Sequence, residues 1–353
     1  MGNMKKLKNL FIIPMVAISL FASSCNSSSK KIALITGDMH AADVIDIDYT
    51  DLKSKIDNKE TFILTVQPDT ACVCWSDFYP ILKSYISENH VMIYHIKYNS
   101  FGDKDNFGLN IRKGYTSFAI SEDGVWRQNL LSESNDIFKS KDTFYTYMSE
   151  VTYLPHYYYV NLEDVDNMFA SSEQSVIYFA RNNCGDCAYV DKNVLKQYAQ
   201  THVERKNIYI LDCESIGIRQ YDENGKLTPE SQLAWNAFKV QYGLASDNNE
   251  KYGFDSGYVP TFQVVKNSTY VSGCVYLNDT LTKQGDKYVV SNTFYTNKRL
   301  ANLQYLTDFY GEKVLEGLEV SSSDVVFNSY WKQDAANEYH KPLLEAFLDY
   351  YLK

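Results

Sequence analysis

The chain has 353 residues, with 44 acidic against 34 basic side chains and a formal charge of −10. This acidic balance argues against nucleic acid as a partner, because phosphates reward clustered Lys and Arg and no such cluster appears beyond the first ten residues. This length is enough for two domains of ordinary size.

The first element reads as an export signal. Lys5, Lys6 and Lys8 form a basic stretch, Leu10 to Phe21 an apolar one, and Ala22, Ser23 and Ser24 lead to Cys25. The apolar run is shorter than the roughly 20 residues a bilayer span needs, and residues 1–24 have the order of a cleaved signal. A cysteine directly after small residues resembles the lipobox of bacterial lipoproteins, with Ala22 where that pattern usually has leucine. The resemblance implies cleavage before Cys25, acyl chains (palmitate among them) on that residue, and an extracytoplasmic protein held to the bacterial membrane by lipid. Cleavage removes three lysines and no acid, taking the formal charge from −10 to −13. Residues 25–45 are expected to be a tether, opening on the Ser-rich stretch from Asn26 to Lys31.

Export sets the meaning of the remaining cysteines, Cys72, Cys74, Cys184, Cys187, Cys213 and Cys274. An even count in an oxidising compartment usually means structural disulfides. Here two pairs lie within four residues, and the entropic benefit of a crosslink grows with the loop it closes. Close pairs therefore point to redox chemistry or metal. Zinc needs four ligands, and no second Cys or His pair stands at a suitable spacing, so neither metal nor cofactor is expected. Cys213 and Cys274 are expected to be buried thiols.

In the first half, Ile63–Val66 and Val91–Ile96 read as strands on either side of Cys72-Val73-Cys74, and Asp123-Gly124 as a hairpin turn. In the second half, Ser175 to Ala180 is β-branched and aromatic, a buried strand by composition. Arg181 to Asn183 break it, Cys184-Gly185-Asp186-Cys187 follows, and Val190, Val194, Leu195 and Tyr198 then recur at helical spacing. Cys184 is thus expected at a helix N-terminus, where the dipole and open N–H groups favour a thiolate, with Cys187 one turn later to resolve a mixed disulfide. Asn207 to Asp212 is the next strand, and Trp235, Phe238 and Tyr242 mark a helix ending at Tyr242-Gly243-Leu244. Tyr258-Val259-Pro260-Thr261-Phe262 leads into a hairpin around Lys266-Asn267-Ser268, and Leu343 to Leu352 is a closing apolar helix. Asp222-Glu223-Asn224-Gly225 is read as an Asn-Gly turn, because Gln220 and Ser231 stand where a calcium loop needs ligands.

The Cys-x-x-Cys between strand and helix, followed by Tyr-Gly and Val-Pro-Thr-Phe, resembles the thioredoxin family. The resemblance implies a cis bond before Pro260, packing of that proline against the cysteines, and substrate pairing beside it. Asn183 stands where the family often has Trp, and insertions fall at about Glu214–Thr228, Ala245–Ser256 and Asn278–His340.

The first half reads as a degenerate copy. Aligning Ile63–Val66 with Val176–Phe179 without gaps puts Cys74 on Cys187, Cys72 on Gly185 and Ala71 on Cys184. Thr116 then falls where Pro260 stands. The expected fold is α/β: two tandem thioredoxin-like domains, each a mixed sheet flanked by helices, spanning 46–158 and 159–353, the second with large insertions. The expected function is a membrane-tethered thiol–disulfide oxidoreductase acting on protein thiols and disulfides of exported proteins or of a membrane partner. Its catalytic residues are Cys184, Cys187 and Pro260; Cys72 and Cys74 are either leftovers in a scaffold module or an auxiliary redox pair that passes electrons to or from Cys184 and Cys187, closing a small, easily reduced ring. The alternative is a non-enzymatic accessory or binding lipoprotein on the same scaffold.

Overall fold

The computed structural model describes residues 30–244 and 259–275, four short strands between 281 and 327, and most of 341–352. The signal segment, Cys25 and residues 245–258 lie outside the described residues.

The chain opens with β1 (Ile32–Ala33), β2 (Thr36–Asp38) and β3 (Ile45–Asp46). The expectation of a tether over 25–45 is corrected here from residue 32 onward. Ile32, Ala33 and Leu34 are buried, β1 pairs in parallel with β8 (Thr152–Tyr153), and β2 pairs with β9 (Tyr157–Tyr159). At Gly37 the strand passes so close to the His90 carbonyl and the Tyr158 ring that a Cβ would collide with both. Serine content at 26–31 describes that stretch alone; the apolar Ile32-Ala33-Leu34-Ile35 gains more from burial than it loses in chain entropy.

The first sheet has the order β3-β5-β4-β6-β7. Its strands are β4 (Phe62–Gln67), β5 (Ile93–Lys97), β6 (Ser117–Glu122) and β7 (Val125–Leu131), with β3, β5 and β4 parallel and β6 and β7 antiparallel. Helix α1 (Tyr49–Asp57) begins in a capping box of Asp48 and Asp51, which satisfies N–H groups a helix start leaves open. Helix α2 (Val73–Asn89) takes Cys72 as its N-cap, and α3 (Lys141–Val151) takes Ser140. Strand β4 is buried on both faces because its alternating side chains enter different cores. Ile63 packs with Phe78, Phe118 and Phe144 under α2 and α3, while Phe62, Leu64 and Val66 pack with Leu52, Phe101 and Leu109 under α1 and the 98–116 loop.

The second sheet repeats the arrangement as β13-β12-β10-β11-β9, with β2 added outside β9. Strand β10 (Ser175–Ala180) lies parallel to β11 (Ile208–Asp212) and antiparallel to β12 (Thr261–Lys266), which pairs with β13 (Thr269–Val275). Helix α4 (Leu162–Ala170) precedes β10. A continuous helix follows it: α5 (Gly185–Val190), a π turn (Asp191–Leu195) and α6 (Lys196–Thr201). Helix α7 (Pro229–Gln241) starts on the Thr228 cap with Pro229 in its first turn, where a missing N–H costs nothing. Residues 347–351 are helical, and Leu344, Phe347 and Leu348 close the core. Tyr178 and Phe262, directly opposed on β10 and β12, stack at 4.3 Å, a pair worth about 0.5–1.5 kcal/mol beyond its burial.

With β2 set aside, in both sheets the first strand in sequence lies at one side, the third beside it, the second at the centre, and the last two complete the other side through antiparallel pairings. The molecule therefore carries two thioredoxin-like modules in tandem. The first lacks the helix that α7 supplies to the second; a short 3-10 turn (Tyr98–Ser100) and a loop run there instead. Of the expected insertions, Glu214–Thr228 holds the turn closed by Asp222 N–H to the Lys226 carbonyl, 2.7 Å, with Gly225 at φ 73°. Asn278–His340 contributes β14 (Leu281–Gln284), β15 (Lys287–Val290), β16 (Leu318–Val320) and β17 (Val325–Phe327), ordered β14-β15-β17-β16.

Candidate functional site

Strand β10 delivers the chain to the Cys184 position and a tight turn stops it there. The Cys184 N–H donates to the Arg181 carbonyl at 3.2 Å, and the Asn182 N–H to Asp212 Oδ1 at 3.3 Å. Cys184 then leaves helical geometry (φ −102°, ψ 123°) and caps α5, as an N-cap residue does. Its sulfur accepts the Cys187 N–H at 3.4 Å and donates to the Val259 carbonyl at 3.6 Å. The Val259–Pro260 bond is cis, as the resemblance implied, and Val259 and Pro260 are both buried.

Cys184 and Cys187 are both present as thiols. Cys184 is 9 % exposed and Cys187 1 %, so both are buried and Cys184 is the less enclosed of the two. The hydrogen bond to Cys184, followed by burial, holds the Cys187 thiol well above the ordinary thiol range.

Two residues that sequence reasoning missed stand behind the cysteines. The Tyr178 hydroxyl donates to Asp191 Oδ1 at 3.1 Å and also interacts with Cys187. Asp191 opens the π turn, a helix irregularity frequent at functional sites. Protein surrounds its carboxyl on most sides and pushes it up to about 6; the Tyr178 hydrogen bond opposes this and the Cys184 sulfur adds to it. The residue nevertheless meets solvent, because it lines a cavity of about 500 Å³ shared with Lys59, Glu60, Tyr159, Lys192 and Lys196. The signal available in sequence was an acid four residues after Cys187, hence on the same helical face.

Cys213 is buried as expected, and burial raises its thiol. The backbone of Cys274 faces Phe262 across the hairpin.

In the first module Cys72 and Cys74 are joined as a disulfide. Cys72 caps α2 as Cys184 caps α5, and its sulfur accepts the Cys74 N–H at 3.1 Å. The ladder pairs Val66 with Ser117 and Phe179 with Thr261, so Thr116 does stand at the Pro260 position. The ungapped assignment of Ala71 to the Cys184 position is corrected by the caps. One extra residue between strand and helix makes Cys72 the counterpart of Cys184. What the first module changed is therefore the spacing of its cysteines.

No protein-family model matches the chain, and no curated protein does. Solved structures similar to it include thioredoxin from Trypanosoma brucei brucei, at 11 % identity over 34 % of this chain and 78 % of that one, TM-score 0.21. The zinc-bound form of human ERp44 is similar at 10 % identity over 66 % of this chain, TM-score 0.24, and the alignment spans only 56 % of ERp44. The first two thioredoxin domains of Saccharomyces cerevisiae Eps1p are similar at 11 % identity over 64 % of this chain and 88 % of theirs, TM-score 0.21. The fold assignment rests on the molecule's own strand order and helix caps: two thioredoxin-like modules, the second with a dithiol at the head of α5.

Proposed function

We propose that the protein is a thiol–disulfide oxidoreductase that acts on protein thiols and disulfides outside the cytoplasm, tethered to the membrane by lipid on Cys25. The observation that carries this reading is Cys184 at the α5 N-cap with its sulfur 3.6 Å from the Val259 carbonyl. A sulfur at that place receives the helix N–H groups, which favours its thiolate, and it faces the segment beside Pro260 that positions a substrate strand.

Cys184 attacks a substrate disulfide and forms a mixed disulfide. Cys187 then attacks Cys184, releasing the reduced substrate and closing the Cys184–Cys187 bond. Burial and the Cys184 hydrogen bond keep the Cys187 proton in place until the mixed disulfide removes that bond, which orders the two steps.

The test is insulin reduction by the full chain with dithiothreitol as electron donor. Turnover is expected for the native protein and loss to background for Cys184→Ser. A Cys184→Ser protein as active as the native one would overturn the reading.

A further inference from the structure

We infer that Cys72 and Cys74 form a second redox centre, facing solvent at the head of α2, which accepts two electrons from a dithiol through attack on Cys72. The inference is independent of the roles proposed for Cys184 and Cys187.

Three observations carry it. Cys72 and Cys74 are each half-exposed, and Val73 between them is 73 % exposed, whereas Cys184 and Cys187 are both buried. An incoming thiolate thus meets a disulfide with no protein cover over the residue that joins its halves. Cys72 also holds the helix-cap position, so the Cys74 N–H, 3.1 Å from its sulfur, stabilises the negative charge Cys72 takes when it leaves the donor in the second exchange. The third observation is a hydroxyl placed for the leaving sulfur. Thr116 is fully buried, and its Oγ1 donates to Cys74 Sγ at 3.3 Å.

A leaving thiolate departs faster when its charge is stabilised. With Thr116 on Cys74, the favoured attack is on Cys72. The opposing loop is held against this site, with Lys113 paired to Asp69 at 3.6 Å and the Gly114 carbonyl 3.9 Å from Cys74 Sγ. The Thr116 backbone is engaged on both sides by Ser132, at 3.0 and 2.9 Å. The centre therefore does not bind a partner by strand pairing beside Thr116; contact is confined to the exposed Cys72-Val73-Cys74 turn.

The exchange balances as follows. A thiolate of the dithiol attacks Cys72 Sγ, the Cys72–Cys74 bond breaks, and Cys74 takes the electron pair as a thiolate. The second thiolate of the donor then attacks its own bonded sulfur and closes the donor's disulfide. Cys72 leaves as a thiolate, and both cysteines take up the protons the donor released. Two electrons and two protons have passed from donor to centre.

The test uses the full chain carrying Cys184→Ser and Cys187→Ser, so failure of the first centre cannot mimic failure of the second. The native-state protein is incubated with dithiothreitol, or with an equal concentration of a reduced thioredoxin as protein dithiol, and alkylation of Cys72 and Cys74 is followed by mass spectrometry. Both residues are expected to become labelled together without denaturant; faster reduction by one donor assigns the source to a small or a protein dithiol. Thr116→Val should slow reduction about 3- to 10-fold, as loss of a hydrogen bond to a developing charge does, and Thr116→Ser should restore it. With single cysteines, Cys72 in Cys74→Ser should capture oxidised glutathione at least several-fold faster than Cys74 in Cys72→Ser. A pair that stays unlabelled until the chain is denatured is a structural bridge and overturns the centre. Equal capture by the two cysteines, or a Thr116→Val rate equal to the native one, overturns attack at Cys72.

Discussion

The Tyr178 hydroxyl reaches from the middle of β10 to Asp191 at the opening of the π turn, 3.1 Å away, and joins the cysteine core to a solvent-lined cavity. Burial pushes the Asp191 carboxyl up to about 6, and Lys59, Glu60, Lys192 and Lys196 share that cavity. The folded protein thus holds the Asp191 proton more tightly than the unfolded chain, where the carboxyl has its ordinary value of about 3.9. Ionisation is therefore the destabilising event. Its cost is absent below pH ~4, grows between about pH 4 and 6, and is fully present above that window.

Asp191→Asn should remove this dependence. Because the carboxylate meets solvent, screening holds the cost to about 1 kcal/mol or less, which is 2–4 °C at most for a protein of this size. Thermal melts at pH 4.5 and pH 7.5 check it: the variant should gain clearly more stability at the higher pH. A gain of equal size at both values would mean that the charge of Asp191 is not its source. The pH profile of insulin reduction should also lose an inflection near 6 in the variant.

Cys184 should alkylate before Cys187 in the reduced native protein. It has the greater exposure, 9 % against 1 %, and Cys187 keeps a proton that its hydrogen bond and burial both retain. Iodoacetamide labelling at pH 7, read by mass spectrometry, should favour Cys184 by roughly tenfold or more, since only the thiolate reacts. Cys187→Ser should correspondingly trap a mixed disulfide between substrate and Cys184. Labelling of Cys187 first would reverse the roles.

Leu34→Ala should destabilise the protein by about 2–3 kcal/mol, the lower range for a fully buried leucine, because Leu34 is buried beside β1 and its N–H donates to the Tyr153 carbonyl. Urea unfolding measures this. A change below about 0.5 kcal/mol, the size expected of an exposed position, would return residues 32–38 to the status of a tether.

Cys25→Ser should release the protein from membranes without altering its melting temperature. The anchor proposed for it is acyl chain, and no helix among the described residues is long and apolar enough to cross a membrane. Fractionation of the variant with membranes as complete as that of the native protein would require another anchor.

The local elements were legible because their signals sit in consecutive residues. The strand before Cys184, the helix after it, the Asn-Gly turn and the hairpin at Asn267-Ser268 follow from side-chain period and turn chemistry, which a chain carries wherever it packs. The thioredoxin resemblance carried by Cys-x-x-Cys and Val-Pro-Thr implied that Pro260 stands beside Cys184, and the Cys184 sulfur does lie 3.6 Å from the Val259 carbonyl of the cis bond. Closure in three dimensions decided the rest. Residues 32–38 became strand because β8 and β9, more than a hundred residues away, offer unpaired edges and a place to bury Ile32 and Leu34. Asp191 joined the site because a π turn and Tyr178 on a neighbouring strand meet there. Cys72 emerged as the counterpart of Cys184 because a helix cap is fixed by where the backbone turns, and one added residue shifts that point without any trace in an ungapped alignment.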